Sequence, residues 1–417
     1  MPSRSAPTSA RLAALAETYG TPLWVYDLRV VDAALATVRA AIPDATLAFA
    51  VKANASGAVL RHLGLADVGA EAITVGELAR SLRAGIDPAR VVVGGPAQDA
   101  ALRALAREAR VGRVSLDSRS QWRDWCDEPG GWPEGTSAFV RVNPGLDPRT
   151  HEHMAVGRAD SKFGLPPAEA LALARDVASV GALAGFHVHA GSQLTDPAVH
   201  EGVLTALAPL YDALPQAREL DLGGGFALPG YPLERLGALI DAWVRPRGLR
   251  LWLEPGRALV ATAGTLLTRV LHVKEGPRRH LIADAGMADL VRPALYGADH
   301  PIHPVSVAGR VVERDEAPAA LDVPTDVDGP LCENADRLGR DVRLPALVPG
   351  DLLAVGLAGA YGLGMGSHYA SHTHAAEIVI DADGDARLAR RRQPLDALWA
   401  DEVDAPAKRA PAGRAPA

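Results

Sequence analysis

The chain has 417 residues, 48% apolar and 22% charged, an ordinary globular composition with length enough for two domains. Its formal net charge of −7 gives no electrostatic basis for nucleic-acid or anionic-membrane binding, and no apolar run approaches the ~20 residues of a membrane span. Cys126 and Cys332 are the only cysteines; they form no disulfide framework and suit a reducing cytoplasm.

In chain order, Met1-Pro2-Ser3-Arg4-Ser5 runs into a charged amphipathic segment without a signal-peptide core. Residues 22–26 read as a strand that can pair with the far C-terminal part. Leu28, Val31, Leu35 and Val38 then recur at helical spacing, with Asp27 placed to cap the helix. Eight apolar runs follow that read as strands: 46–51, 68–73, 90–93, 113–116, 138–142, 183–187, 219–222 and 250–253. Helical patterns such as 97–110, 166–180 and 231–244 lie between most of them. Eight βα units over roughly 230 residues match a (β/α)8 barrel, which typically needs ~250.

After residue 260 the texture changes. Runs at 264–273, 280–283, 305–312, 351–355 and 377–380 predict strands with few helices between them. The expected fold class is α/β: a (β/α)8 barrel with a second all-β (sandwich or barrel) C-terminal domain. The expected divisions are a segment 1–27 whose strand joins the β domain, a barrel 28–262, a β domain 263–395, and a flexible tail 396–417 rich in Ala and Pro.

Polar residues cluster where the barrel strands end. Lys52 follows the first, Thr74 the second and Gly94-Gly95 the third. Arg141 and Asn143 close the fifth, His187 and His189 the sixth, Gly223-Gly224-Gly225 the seventh and Glu254-Pro255-Gly256-Arg257 the eighth. In a barrel these loops open on one face, where active sites are built. Lys52 closes an apolar run, where a lysine is costly unless its charge is paired or its pKa falls. A desolvated amine there is a nucleophile for a carbonyl; a strand that ends one residue early, leaving Lys52 solvated, fits the local pattern equally well. The triple glycine can present backbone N–H groups to a phosphate, or can simply be a tight turn. Gly256-Arg257 would add donors and a cation. A phosphate site with a buried lysine suggests pyridoxal phosphate, and Glu254 could then keep a pyridine nitrogen protonated. Its structural alternative is an ion pair with Arg257 or another barrel cation.

Several blocks resemble one family. They include Ala50-Val51-Lys52-Ala53-Asn54, Arg141-Val142-Asn143-Pro144-Gly145, Ser161-Lys162-Phe163-Gly164, His187-Val188-His189-Ala190-Gly191-Ser192-Gln193, Gly223-Gly224-Gly225-Phe226, Glu254-Pro255-Gly256-Arg257, Asp284-Ala285-Gly286-Met287, Arg292-Pro293-Ala294-Leu295-Tyr296, Cys332-Glu333 and Gly359-Ala360-Tyr361-Gly362. In this order they resemble the fold-type III pyridoxal-phosphate decarboxylases, most closely those acting on diaminopimelate. The resemblance covers about residues 22–381. It implies pyridoxal 5'-phosphate as cofactor, Lys52 as its Schiff-base lysine, His189 stacked on its ring and Glu254 at its nitrogen. Ser192, Gly224, Gly225, Gly256, Arg257 and Tyr361 resemble the phosphate cradle. Arg257, Arg292, Tyr296, Glu333 and Tyr361 resemble the residues that hold an amino-acid substrate. Cys332 resembles a proton donor supplied across a homodimer interface, so that two sites are shared. A cytoplasmic amino-acid carboxy-lyase forming L-lysine from meso-2,6-diaminopimelate is the implied activity. The runner-up is a sister decarboxylase of ornithine, lysine or a siderophore or antibiotic intermediate. A pyridoxal-phosphate carrier would explain neither the second domain nor Cys332-Glu333.

Departures from the pattern bear on the substrate. Val93-Gly94-Gly95-Pro96-Ala97-Gln98 replaces a usual Phe-x-Gly-Asn-x-Lys. Glu71-Ala72-Ile73-Thr74-Val75-Gly76-Glu77-Leu78 replaces Asp-Val-Val-Ser-Gly-Gly-Glu-Leu. Asn334 replaces the serine after Cys-Glu, and the segment from Ser367 to His374 loses an arginine. His368, His372 and His374, like His151 and His153, invite a metal reading. The spacing of the first three and the lack of acidic partners favour solvated loop histidines, and no metal is expected.

Overall fold

The computed structural model describes residues 7–145, 161–227 and 230–403. Strand β1 (Leu23–Asp27) precedes a helix, Leu28–Ala41, whose cap is the expected one: the Asp27 carboxylate accepts from the Arg29 N–H at 3.0 Å. Leu28, Val31, Leu35 and Val38 are its buried stripe. The eight expected barrel strands follow as β2 (Thr46–Ala50), β3 (Gly69–Ala72), β4 (Val91–Val93), β5 (Arg113–Leu116), β6 (Ser137–Arg141), β7 (Leu183–His187), β8 (Glu219–Asp221) and β9 (Arg250–Leu253). Each pairs in parallel with its sequence neighbour, and β9 returns to β2 to close the barrel. Parallel strands are covered by helices outside and packed side chains inside, so they read as near-continuous apolar runs. Ala48, Val92, Phe139, Ala184 and Trp252 fill the interior. Below them Glu219 is held by Arg113 at 2.7 Å and by Arg250, with Trp252 Nε1 donating at 3.1 Å. This plug leaves the opposite mouth, where the strands end, as the open one.

The rest is predominantly sheet. It comprises β10 (Gly264–Lys274), β11 (Arg279–Ala283), β12 (Ile302–Pro304), β13 (Ser306–Val307), β14 (Arg310–Val311), β15 (Thr325–Asp328), β16 (Arg337–Val342), β17 (Leu352–Val355), β18 (Ala376–Ile380) and β19 (Ala386–Arg390). The main order is β16-β15-β11-β10-β1-β18-β19, with β17 on β10 and β12 on β17. The early strand thus does join the C-terminal sheet, antiparallel to β10 and parallel to β18. The run expected as one strand over 305–312 is instead two short strands. They turn at Ala308-Gly309, both at positive φ, the conformation a tight two-residue hairpin needs. β15 and β16 escaped prediction because charges interrupt their apolar pattern: Asp326 and Asp328 are held by Arg278 and Arg337. No helix among the described residues is long and apolar enough to cross a membrane.

Candidate active site

The open mouth of the barrel holds a cavity of about 620 Å³, lined among others by Lys52, Glu71, Arg141, His187, His189, Ser192 and Glu254. These come from the ends of β2, β3, β6, β7 and β9, so the barrel's closure brings together side chains up to two hundred residues apart. β2 ends at Ala50 and Lys52 lies in the single 3-10 turn Val51–Ala53. The side chain is one-third exposed and its Nζ lies 2.5 Å from a Glu71 carboxylate oxygen. Burial favours the neutral amine, but Glu71 and Glu254 outweigh it and the Lys52 pKa moves up. The ion pair therefore resolves the cost of a lysine in an apolar run, and Lys52 rests charged rather than neutral.

Glu254 is buried and does not pair with Arg257. It faces His187, 3.5 Å away, and one of its oxygens has no hydrogen-bond partner among the described residues. Burial first, then Asp221 and Glu71, push its pKa well up. His187 is held neutral by burial and by the nearby Arg141, with Ser115 Oγ 2.6 Å from its Nδ1. His189 is also neutral: burial, Lys52 and Arg141 lower its pKa to about 3. Its Nδ1 accepts from the Gly224 N–H at 3.3 Å. The glycines here are required by approach distances. A Cβ on Gly225, at φ +92°, would lie 2.0 Å from the Gly191 carbonyl oxygen, and one on Gly224 would lie 2.1 Å from that of Glu254.

Behind the first turn, Gly256 packs on Ala50 and Ala53, and Arg257 begins the short helix Arg257–Val260. The Arg257 guanidinium lies 4.7 Å from the Tyr361 ring, and Arg292 lies 5.8 Å from the same ring and 5.7 Å from Tyr296. Tyr361 donates its backbone N–H to the Ala53 carbonyl at 2.7 Å, tying the group to the Lys52 turn. Arg292 is buried with Nε unpartnered, and neither arginine makes an ion pair among the described residues. Tyr296 is exposed. Cys332 and Glu333 are exposed too and do not line the cavity. Their loop is shaped by buried Asp336, whose carboxylate accepts from the Met287 and Leu331 N–H groups at 2.6 and 2.7 Å.

Residues 28–261 match the family described as pyridoxal-dependent decarboxylase, pyridoxal binding domain. The chain is 38% identical to a diaminopimelate decarboxylase of Deinococcus radiodurans over 93% of its own length and 97% of the relative's. The chain belongs to the pyridoxal-dependent decarboxylases. An Aquifex aeolicus diaminopimelate decarboxylase is 33% identical over 94% of this chain and 93% of its own. The crystal structure of the Helicobacter pylori diaminopimelate decarboxylase with L-lysine superposes with a TM-score of 0.82 at 30% identity, covering 93% and 98% of the two chains. Membership makes this decarboxylase an enzyme with pyridoxal phosphate as cofactor. The mouth fits that group: a lysine amine enters the cavity, a buried carboxylate oxygen lacks a partner, and two glycines leave room only for backbone.

Two acids of this decarboxylase mouth escaped sequence reasoning. Glu71 and Asp221 are buried within short apolar strands, and a lone carboxylate in such a strand signals a partner. Asp221 Oδ1 accepts from the Gly223 N–H at 2.8 Å. The histidine-rich segment also needs correction. His372 does have an acidic partner, Asp289 at 3.1 Å, while His368 packs against His374 with ring centres 4.4 Å apart. His151, His153 and residues 404–417 of the expected tail lie outside the described residues.

Proposed function

We propose that this enzyme decarboxylates meso-2,6-diaminopimelate to L-lysine and carbon dioxide, working in the cytoplasm as a homodimer with shared sites. The observation that carries the substrate is the pair of guanidiniums around Tyr361 that have no ion-pair partner among the described residues. A buried arginine without a carboxylate calls for an anionic ligand. Arg257, at a helix start beside the glycine turns, serves the cofactor phosphate with Ser192, Gly224, Gly225, Gly256 and Tyr361. Arg292, beside Tyr296, serves the substrate's distal carboxylate, which a plain diamino acid lacks.

Pyridoxal phosphate, when bound, supplies an electron-accepting ring for the pair left by the departing carboxylate. Lys52 would hold the cofactor by its amine, and Glu71 would keep the Lys52 ammonium in place whenever that amine is free. His189, neutral and flanked by the Gly224 N–H, offers a flat face without adding charge. Glu254 would meet the cofactor's ring nitrogen and keep it protonated. Cys332, on a loop of the β domain, serves a second copy's site and returns a proton to the substrate carbon, and the neighbouring Glu333 holds the distal amine. The exposure of both residues within one chain supports this shared arrangement.

A sister decarboxylase remains the second reading, favoured by the histidines at 368–374 where the family pattern has an arginine. A substrate panel scored by carbon dioxide release tests the two. Turnover of meso-diaminopimelate well above ornithine and L-lysine is expected; preference for either diamine acid would replace the first reading with the second.

A further inference from the structure

The mouth of the barrel contains a buried acid with no assigned task. Asp221 closes β8 with no exposed surface, and Glu254 follows the neighbouring strand β9. The backbone locks the two together: Leu222 N–H donates to the Trp252 carbonyl at 3.1 Å and Glu254 N–H to the Gly223 carbonyl at 2.7 Å. Their carboxyl oxygens lie within 4.8 Å of each other and of a His187 nitrogen. Asp221 Oδ1 is taken by the Gly223 N–H, but Asp221 Oδ2 and Glu254 Oε1 receive no N–H or O–H donor from any described residue. Two ionised carboxylates side by side in this position would leave two buried acceptors with no donor from the described residues. One proton between them makes one a donor to the other and satisfies both.

We propose that Asp221 and Glu254 hold a single proton between them in the cofactor-free enzyme and hand it to the ring nitrogen when pyridoxal phosphate binds. This rests on the reading that Glu254 meets that nitrogen. Asp221 is then a positioning residue, acting through Glu254 without touching the ring. Charge balances within the site. The pair goes from one negative charge to two, and the nitrogen gains one positive charge, so no proton is drawn from water.

The surroundings suit both states. Facing the pair are Lys52 after β2, Glu71 on β3, Arg141 on β6 and His187 on β7, while Tyr211, on the helix Ala198–Ala213, feels the Asp221 charge but donates its hydroxyl to the Glu219 carbonyl. Glu71 is committed to Lys52. His187 stays neutral, so it is not the source of the proton. Burial, followed for Glu254 by the neighbouring Asp221 charge, raises the pKa of both acids. Lys52 and Arg141 partly offset the second negative charge once the proton has moved.

Asp221→Asn keeps the Gly223 contact through its amide oxygen and offers an N–H to Glu254, but holds no transferable proton. The test is calorimetric titration of pyridoxal phosphate into the full-length, cofactor-free chain at neutral pH, in two buffers of different ionisation enthalpy. The variant is expected to take up about one more proton per site from the buffer than the wild type. Equal proton counts overturn the proposal while leaving the cofactor reading intact. A failure of the wild type to bind pyridoxal phosphate overturns both. Should the variant not fold, infrared spectroscopy of the wild type decides. The carbonyl stretch of a protonated buried carboxyl is expected without cofactor and lost when cofactor is added; its absence from the cofactor-free chain overturns the proposal.

Discussion

The barrel mouth and the loop bearing Cys332 are opposite kinds of site. In the mouth, Lys52, Glu71, His187, Asp221 and Glu254 are packed against one another, and most of their charge is settled within the chain. On the loop, Cys332 and Glu333 are exposed, and it is the buried Asp336 behind them that is fully bonded. A barrel can complete a pocket from its own strand ends because closure brings all eight together. A loop on an open sheet can only be shaped, and then presented. The contrast teaches that one chain closes its barrel mouth from its own strand ends and leaves the loop proposed to return the proton facing outward.

The most direct way to break that contrast is to disable each half separately. Lys52→Ala is expected to lower kcat by at least ~10³-fold and to abolish the lysine-linked cofactor absorbance. Cys332→Ala is expected to cost ~10²-fold or more with the absorbance intact, because the role proposed for Cys332 is proton transfer alone. If the halves come from different chains, mixing the two variants should restore about a quarter of wild-type activity: half the dimers are hybrids, each with one intact site. No recovery after demonstrated subunit exchange would place both halves in one chain.

A smaller effect sharpens the boundary between cofactor and substrate. Arg292→Ala is expected to lower kcat/KM for meso-diaminopimelate by ~10²-fold, since a buried charge-assisted contact is worth about 2–3 kcal/mol. Affinity for pyridoxal phosphate, followed by absorbance titration, should stay within about twofold, an effect small enough to be surface noise. A parallel loss of cofactor affinity would move Arg292 to the phosphate side.

The barrel was legible because its strands are unbroken apolar runs, as in Val91–Val93, each ending in a polar or glycine-rich turn. Lys52, His189 and Glu254 stood out because they sit at those ends. Glu71 and Asp221 did not: within a strand, one acid looks like ordinary alternation until closure shows that both strand faces are buried. The loss of pattern was greater in the sheet domain. β15 and β16 are held partly by Asp326, Asp328, Arg278 and Arg337, and charge ladders carry no apolar period. The His372 ion pair is equally invisible locally. Its partner Asp289 lies more than eighty residues away, beyond any local spacing rule.

Two histidines extend the comparison to stability, with opposite signs. His200, in the helix Ala198–Ala213, has no exposed surface; its Nδ1 meets the Tyr231 hydroxyl at 2.8 Å, and burial lowers its pKa to about 4. Between pH ~6.5 and ~4 the unfolded chain binds a proton there and the folded chain does not, so stability falls as pH falls. The full contribution is on the order of 3 kcal/mol at pH 4. His372, in the sheet domain, has its pKa raised chiefly by its contact with the Asp289 carboxylate, 3.1 Å away. Its contribution is fully present below pH ~6.5 and is lost as pH rises through the folded value. His200→Phe should therefore flatten the acid limb of a plot of unfolding free energy against pH, even if removing the Tyr231 partner lowers the whole curve. His372→Asn should instead lower stability mainly on the acid side and by less, because the pair is partly exposed. Urea melts across pH 4 to 8 measure both slopes, and an acid limb unchanged by His200→Phe would mean that other barrel histidines, not His200, carry the acid sensitivity.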